Sequence, residues 1–112
     1  MLYNKFMADK LAKILEELRA GLSQLLGDQF EAVYLYGSQA RGDARTDSDI
    51  DVLVVMREDF DYREVSLKTL SLTAELSLKY DVVIVKAFVT RQRLREEQSP
   101  FFINVRREAI AI

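Results

Sequence analysis

Gly37-Ser38-Gln39-Ala40-Arg41-Gly42, followed by Ser48-Asp49-Ile50-Asp51, is the stretch whose reading decides the fold. Ten residues separate Gly37-Ser38 from Asp49-Ile50-Asp51, and an apolar run stands on each side. Upstream is Phe30-Glu31-Ala32-Val33-Tyr34-Leu35-Tyr36, and downstream is Val52-Leu53-Val54-Val55-Met56. Both runs are rich in branched and aromatic residues and read as strands. Alternate residues of a strand share a face, so Asp49 and Asp51 point the same way, ~6.5 Å apart along the backbone. Two divalent ions in phosphoryl-transfer sites sit ~3.5–4 Å apart, a spacing such a pair can bridge. Gly37 lacks a β-carbon and lets backbone amides approach a phosphate, while Ser38 adds a hydroxyl at the start of a short helical turn. A turn that can hug a phosphate beside two carboxylates is what metal-assisted phosphoryl chemistry needs.

Working outward, Leu11, Ile14, Leu15, Leu18, Leu22 and Leu25 recur at helical spacing. They predict an amphipathic first helix, roughly Lys5 to Leu26, stopped by Gly27-Asp28. A helical turn near Ser38 to Arg41 and a polar loop, Gly42 to Ser48, lead into the second strand, Asp49 to Met56. A further helix, roughly Tyr62 to Lys79, has apolar residues in two stripes, Leu67-Leu70-Ala74-Leu78 and Val65-Leu72-Leu76. A helix apolar on most of its circumference is expected to be covered on more than one side. Asp81 to Val89 reads as the third strand. Thr90 caps a short basic helix, and Ser99-Pro100 begins a last one. The C-terminus, with Phe101-Phe102-Ile103 and Ala109-Ile110-Ala111-Ile112, is apolar and serves either core packing or a partner surface.

If Gly37 ends the first strand and Asp49 starts the second beside it, those two run antiparallel. For Asp81 to reach the same site, the third strand must run parallel to the second. The expected fold is α/β (α+β): a small mixed sheet with helices mainly on one face, forming a single domain over 1–112.

Composition narrows the chemistry. With 112 residues the chain supports one core. It has no cysteine and no histidine, which excludes disulfides, thiolate metal sites, histidine-ligated zinc and a Ser-His-Asp triad. Carboxylates, hydroxyls, basic side chains and oxygen-liganded metals remain. The net charge of −2 gives no general pull toward nucleic acid, and the arginines near the C-terminus are interleaved with glutamates rather than with stacking aromatics. No signal-peptide pattern opens the chain and no run reaches membrane-spanning length, so the expectation is a cytoplasmic, soluble protein.

The Gly-Ser pair, spacer and Asp-x-Asp resemble the hallmark of the DNA polymerase β-like nucleotidyltransferase superfamily. The local text from Gly37 to Gly42 and Ser48 to Asp51 is similar to its minimal nucleotidyltransferases, compact cytoplasmic proteins that often act as antitoxins to HEPN-domain toxins. The resemblance in order and length covers nearly the whole chain. It implies a polymerase β-like core in which Asp49 and Asp51 hold two Mg²⁺ ions and Gly37 and Ser38 bind the triphosphate of ATP. It also implies a third catalytic carboxylate at the start of a later strand, a place that Asp81 matches. The implied activity is transfer of AMP from ATP to an acceptor hydroxyl, a tyrosine of a HEPN toxin, with release of pyrophosphate.

Each residue has a plainer reading. Gly37-Ser38 could be a strand-ending turn, and Asp81 could close a helix-strand loop. Arg41 contacts nucleotide phosphates or pairs with Asp43 or Asp47. Ser48 orients Asp49 or, as the simpler case, caps the loop. An EF-hand alignment of Asp47, Asp49, Asp51 and Glu58 fails because Val52 stands where that loop needs glycine. Two other functions stay open: an antitoxin acting by occlusion without catalysis, and a transferase with an RNA or small-molecule acceptor. The carboxylate face of the sheet continues as Leu53, Val55, Val83 and Val85, which the C-terminal segment or another protein must cover.

Overall fold

The computed structural model describes residues 5–45 and 49–112, with side chains from residue 8 onward. Ser48, expected to cap the loop or orient Asp49, and Asp47 lie outside the described residues.

Helix α1 spans Lys5–Leu26, and a 3-10 turn, Gly27–Gln29, delivers the chain into β1, Phe30–Tyr36. Helix α2 is the single turn Ser38–Arg41, followed by β2, Ile50–Met56, and α3, Tyr62–Tyr80. Strand β3 is Ile84–Thr90, then come α4, Arg91–Glu96, α5, Pro100–Glu108, and β4, Ile110–Ala111. Side-chain caps fix the helix starts where the sequence places them. Asp61 accepts from the Glu64 N–H, Thr90 from the Arg93 N–H and Ser99 from the Phe102 N–H.

The sheet order is β3-β2-β1-β4. Strands β1 and β2 are antiparallel, with Tyr36 opposite Asp51, and β2 and β3 are parallel, with Asp51 opposite Val85. The mixed sheet expected from the placement of Gly37 and Asp49 is therefore observed. Strand β4 pairs antiparallel with β1 through Tyr34 and Leu35. The apolar end of the chain is thus partly a sheet edge.

One sheet face carries Val33, Leu35, Val52, Val54 and Phe88, packed under Ile14, Leu18 and Leu22 of α1 and Val65 and Leu76 of α3. Burial of this apolar surface is the main source of stability, at about 25 cal/mol per Å². The other face carries Leu53, Val55 and Val89, covered by Phe102 and Val105 of α5. The C-terminal segment thus supplies the cover that this face requires, but Val83 and Val85 stay exposed at the β3 edge.

Two expectations are corrected. Strand β3 begins at Ile84, not at Asp81. Asp81 is the C-terminal cap of α3 in the left-handed conformation (φ 54°), with its N–H and that of Val82 both donating to the Ser77 carbonyl. The helix termination consumes the two residues that would otherwise have opened the strand. The second concerns α3. Its inner stripe is buried, but Leu67, Leu70 and Leu78 are exposed, Leu78 by 86%. Among the described residues nothing in this chain covers that outer stripe. Thr69 and Thr73 complete the buried face instead, their hydroxyls bonded to carbonyls of their own helix.

Candidate active site

The C-terminal end of β1 and the N-terminal end of β2 meet at one end of the sheet, and the turn after β1 folds against the first residues of β2. Gly37 adopts φ 75°, ψ −156°, a conformation that side chains oppose. Its carbonyl accepts the Ala40 and Arg41 N–H groups, both at 3.1 Å, which closes the turn of α2. A β-carbon on Gly37 would lie 2.6 Å from Asp51 Oδ2. The glycine is thus required twice, for its dihedrals and for the carboxylate pressed against it.

Asp49 is exposed, Ile50 is buried in the helix-side core and Asp51 is half-buried, an alternation that sends both carboxylates to the same side. The Ile50 N–H donates to the Val83 carbonyl at 2.9 Å and anchors this end of the strand. Burial, and then the negative charge of Asp49, push the Asp51 carboxyl above its ordinary value, while Arg41 acts the other way. A carboxylate that burial and a neighbouring negative charge both oppose is a place where a cation is favoured.

Arg41 stands 3.4 Å from Asp43 and 3.4 Å from Glu108. Of the plainer readings, the Asp43 pair is present, and Glu108 adds a tie from α2 to the end of α5. Its guanidinium is about half exposed. Ser38 opens α2 beside Gly37, and its carbonyl accepts the Asp43 N–H at 3.2 Å.

Asp81 is not brought into this group. The residue across from Asp51 on β3 is Val85, and among the described residues no cluster of three acidic side chains is placed to hold a metal. The described geometry brings together the pair Asp49 and Asp51, with Asp81 placed before β3 at the end of α3. Two carboxylates still fit Mg²⁺, which is usually held by one or two of them and completes its octahedron with waters and substrate phosphates.

Two neighbours escaped the sequence reading. Tyr36, paired with Asp51 across the sheet, has its phenol raised by burial and then by the Asp51 charge. Phe101 stacks edge-on against Tyr36 at 5.6 Å between ring centres. The pairing of Tyr36 could be found from the antiparallel register; the contact with Phe101 depends on how α5 docks.

Residues 12–109 match the family described as nucleotidyltransferase domain. The chain belongs to that family. This nucleotidyltransferase is 36% identical over 75 residues to a Methanocaldococcus jannaschii protein provisionally named protein adenylyltransferase MJ0141, covering 67% of the chain and 75% of the relative. A second protein from that organism, MJ0604, carries the same provisional name and is 39% identical over 72 residues, 64% of this chain and 66% of its own. Among solved structures, one described as a minimal nucleotidyltransferase, also provisionally named, is 29% identical with a TM-score of 0.57, covering 91% of this chain and 95% of that one. A toxin-antitoxin structure with AMP-PNP superposes with a TM-score of 0.55 at 19% identity, over 92% of this chain and 69% of that one. At that identity the likeness concerns the fold. The polymerase β-like architecture is thus the fold of this nucleotidyltransferase. Among its described residues no helix is long and apolar enough to cross a membrane.

Proposed function

We propose that this nucleotidyltransferase moves AMP from ATP to a hydroxyl of another protein, a tyrosine of a HEPN-type toxin, and thereby acts as the antitoxin. The observation that carries the transfer chemistry is the contact of the Gly37 turn with Asp51, where not even a β-carbon would fit. A triphosphate lying along Gly37 and Ser38 has its phosphates beside Asp49 and Asp51. Mg²⁺ bound there supplies charge neutralisation for the triphosphate and for the departing pyrophosphate.

Asp49 and Asp51 hold the cation, Gly37 allows the phosphates to approach the backbone, and Ser38 offers them a hydroxyl. Arg41 is within reach of the same anions once it leaves Asp43. The acceptor oxygen attacks the α-phosphorus, the bond from that phosphorus to the β-phosphate's bridging oxygen breaks, and pyrophosphate leaves. The acceptor's proton passes to solvent. Asp81, whose backbone caps α3, is not called on in this scheme.

A protein acceptor is favoured over RNA or a small molecule by the site's rim. Val83 and Val85 are 58% and 41% exposed, and Phe101 is 43% exposed beside Tyr36. An apolar border next to a charged site suits a protein surface. The provisional names of the archaeal relatives point the same way.

The test is to add Mg²⁺ and each labelled triphosphate to the protein with its co-purifying partner and to read intact masses. One AMP on a partner tyrosine from ATP is expected, and none after Asp49→Asn with Asp51→Asn. Protection of cells that survives the double substitution would replace catalysis by occlusion. Label on RNA or a small molecule would move the acceptor.

A further inference from the structure

The outer face of α3 presents an apolar stripe that no described residue covers. Leu67, Leu70 and Leu78 are 60%, 55% and 86% exposed, and Ala74 is exposed between them. At 100° per residue the four lie within about a quarter of the helix circumference and run about 16 Å along it. The stripe faces away from Val65, Thr69, Thr73 and Leu76, which seat the helix on the core. Isolated exposed leucines need no explanation, but three in register on one helix face form a seam.

We infer that this seam pairs with the same seam of a second copy of the chain, with the two α3 helices antiparallel about a two-fold axis. The charges on the helix choose the occupant and the direction. Arg63 lies on the line of the stripe before Leu67, and Asp81 follows the last helical residue as the left-handed cap beyond Leu78. Both are exposed, and neither has an ion-pair partner among the described residues. An antiparallel pairing that sets Leu70 against Ala74 of the other copy, large against small, also brings Arg63 level with the other copy's Asp81 cap at both ends.

The flanks agree. Lys68 and Glu75 share one side of the stripe and are exposed. In an antiparallel pair each flank meets the same flank of its mate, so Lys68 faces the other Glu75 twice. A parallel pair would instead bring Arg63 to Arg63 and Asp81 to Asp81. The surface is therefore self-complementary in one direction only, as a two-fold interface requires. One helix pair buries less than the ~800 Å² per partner of a standard stable interface, so the dimer forms with rising concentration. The proposed catalytic end of the sheet, at Gly37 and Asp51, is built from β1 and β2 and not from α3, so the inference stands apart from the proposed activity.

Sedimentation equilibrium of the purified chain over a wide concentration range tests it. The mass is expected to climb from 12.9 kDa toward twice that value. Leu70→Asp, at an exposed position that leaves the circular dichroism unchanged, should weaken self-association about 30-fold or more, the range of a central anchor residue. Lys68→Glu should weaken it, and Lys68→Glu with Glu75→Lys should restore it. A mass that stays at one chain throughout would overturn the inference, as would an association indifferent to Leu70→Asp. Failure of the double swap to rescue would overturn the antiparallel geometry. Assembly on this face only when a different co-purifying protein is added would give the seam to that protein instead.

Discussion

Gly37 and Asp51 constrain each other, and substituting either one is expected to abolish transfer for different physical reasons. The Asp51 carboxyl sits above its ordinary value because of burial and the Asp49 charge. Ionising it therefore costs more in the folded chain than in the unfolded one. Without metal, stability should fall as pH rises from the ordinary carboxylate range through the raised value, and remain lower at neutral pH. Asp51→Asn removes that fall. Thermal melts in EDTA should find the variant at least as stable as the wild type at pH 7, with the difference vanishing in acid. Gly37→Ala meets Asp51 Oδ2 at 2.6 Å in a conformation reserved for glycine, and should cost about 1–3 kcal/mol. Both variants should lose about 100-fold or more in transfer, one while gaining stability and the other while losing it. Such opposition is expected where a carboxylate is kept for chemistry against its own electrostatic cost.

Among the elements, α5 carries a role out of proportion to its nine residues. It lays Phe102 and Val105 over Leu53, Val55 and Val89, sets Phe101 on Tyr36 and meets Arg41 through Glu108. Phe102 is 6% exposed, so Phe102→Ala should cost about 3–5 kcal/mol in denaturant unfolding. The sequence announced α5 through Ser99-Pro100, and α1 through leucines at helical spacing, because caps and periodicity are local signals. Strand β3 was misplaced for an equally local reason. Asp81-Val82-Val83 looks like strand text, but the left-handed residue that ends α3 comes first. Strand β4 left no signal, since two residues become a strand only by lying against Tyr34 and Leu35. The outer stripe of α3 was visible as apolar, yet which of its two faces met the core depended on α1. Gly21 lies at that contact: a β-carbon there would lie 2.6 Å from the end of the Leu72 side chain of α3, and no periodicity reveals so close an approach. At the β3 edge, Lys86 points under α3 with Nζ 3.1 Å from Thr73 Oγ1, and burial lowers its pKa. An inward charge of this kind discourages another strand from adding to the edge.

For the molecule as a whole, two strands that meet head to tail create the site, and the rest of the chain holds them there. The antiparallel β1-β2 pair was legible because Gly37-Ser38 and Asp49-Ile50-Asp51 make chemical sense only side by side. The place of Asp81 was not, because the register sets Val85 opposite Asp51 and leaves Asp81 ahead of β3, at the end of α3. The proposed seat of a metal-bound triphosphate is therefore a pair of carboxylates beside a glycine turn. Calorimetric titration with α,β-methylene ATP, whose α–β bridge cannot be cleaved, measures that directly without needing the acceptor. Binding should require Mg²⁺ and should disappear in Asp49→Asn with Asp51→Asn, the fold remaining intact by circular dichroism. Binding of equal strength with and without Mg²⁺, or retained by the double variant, would contradict it.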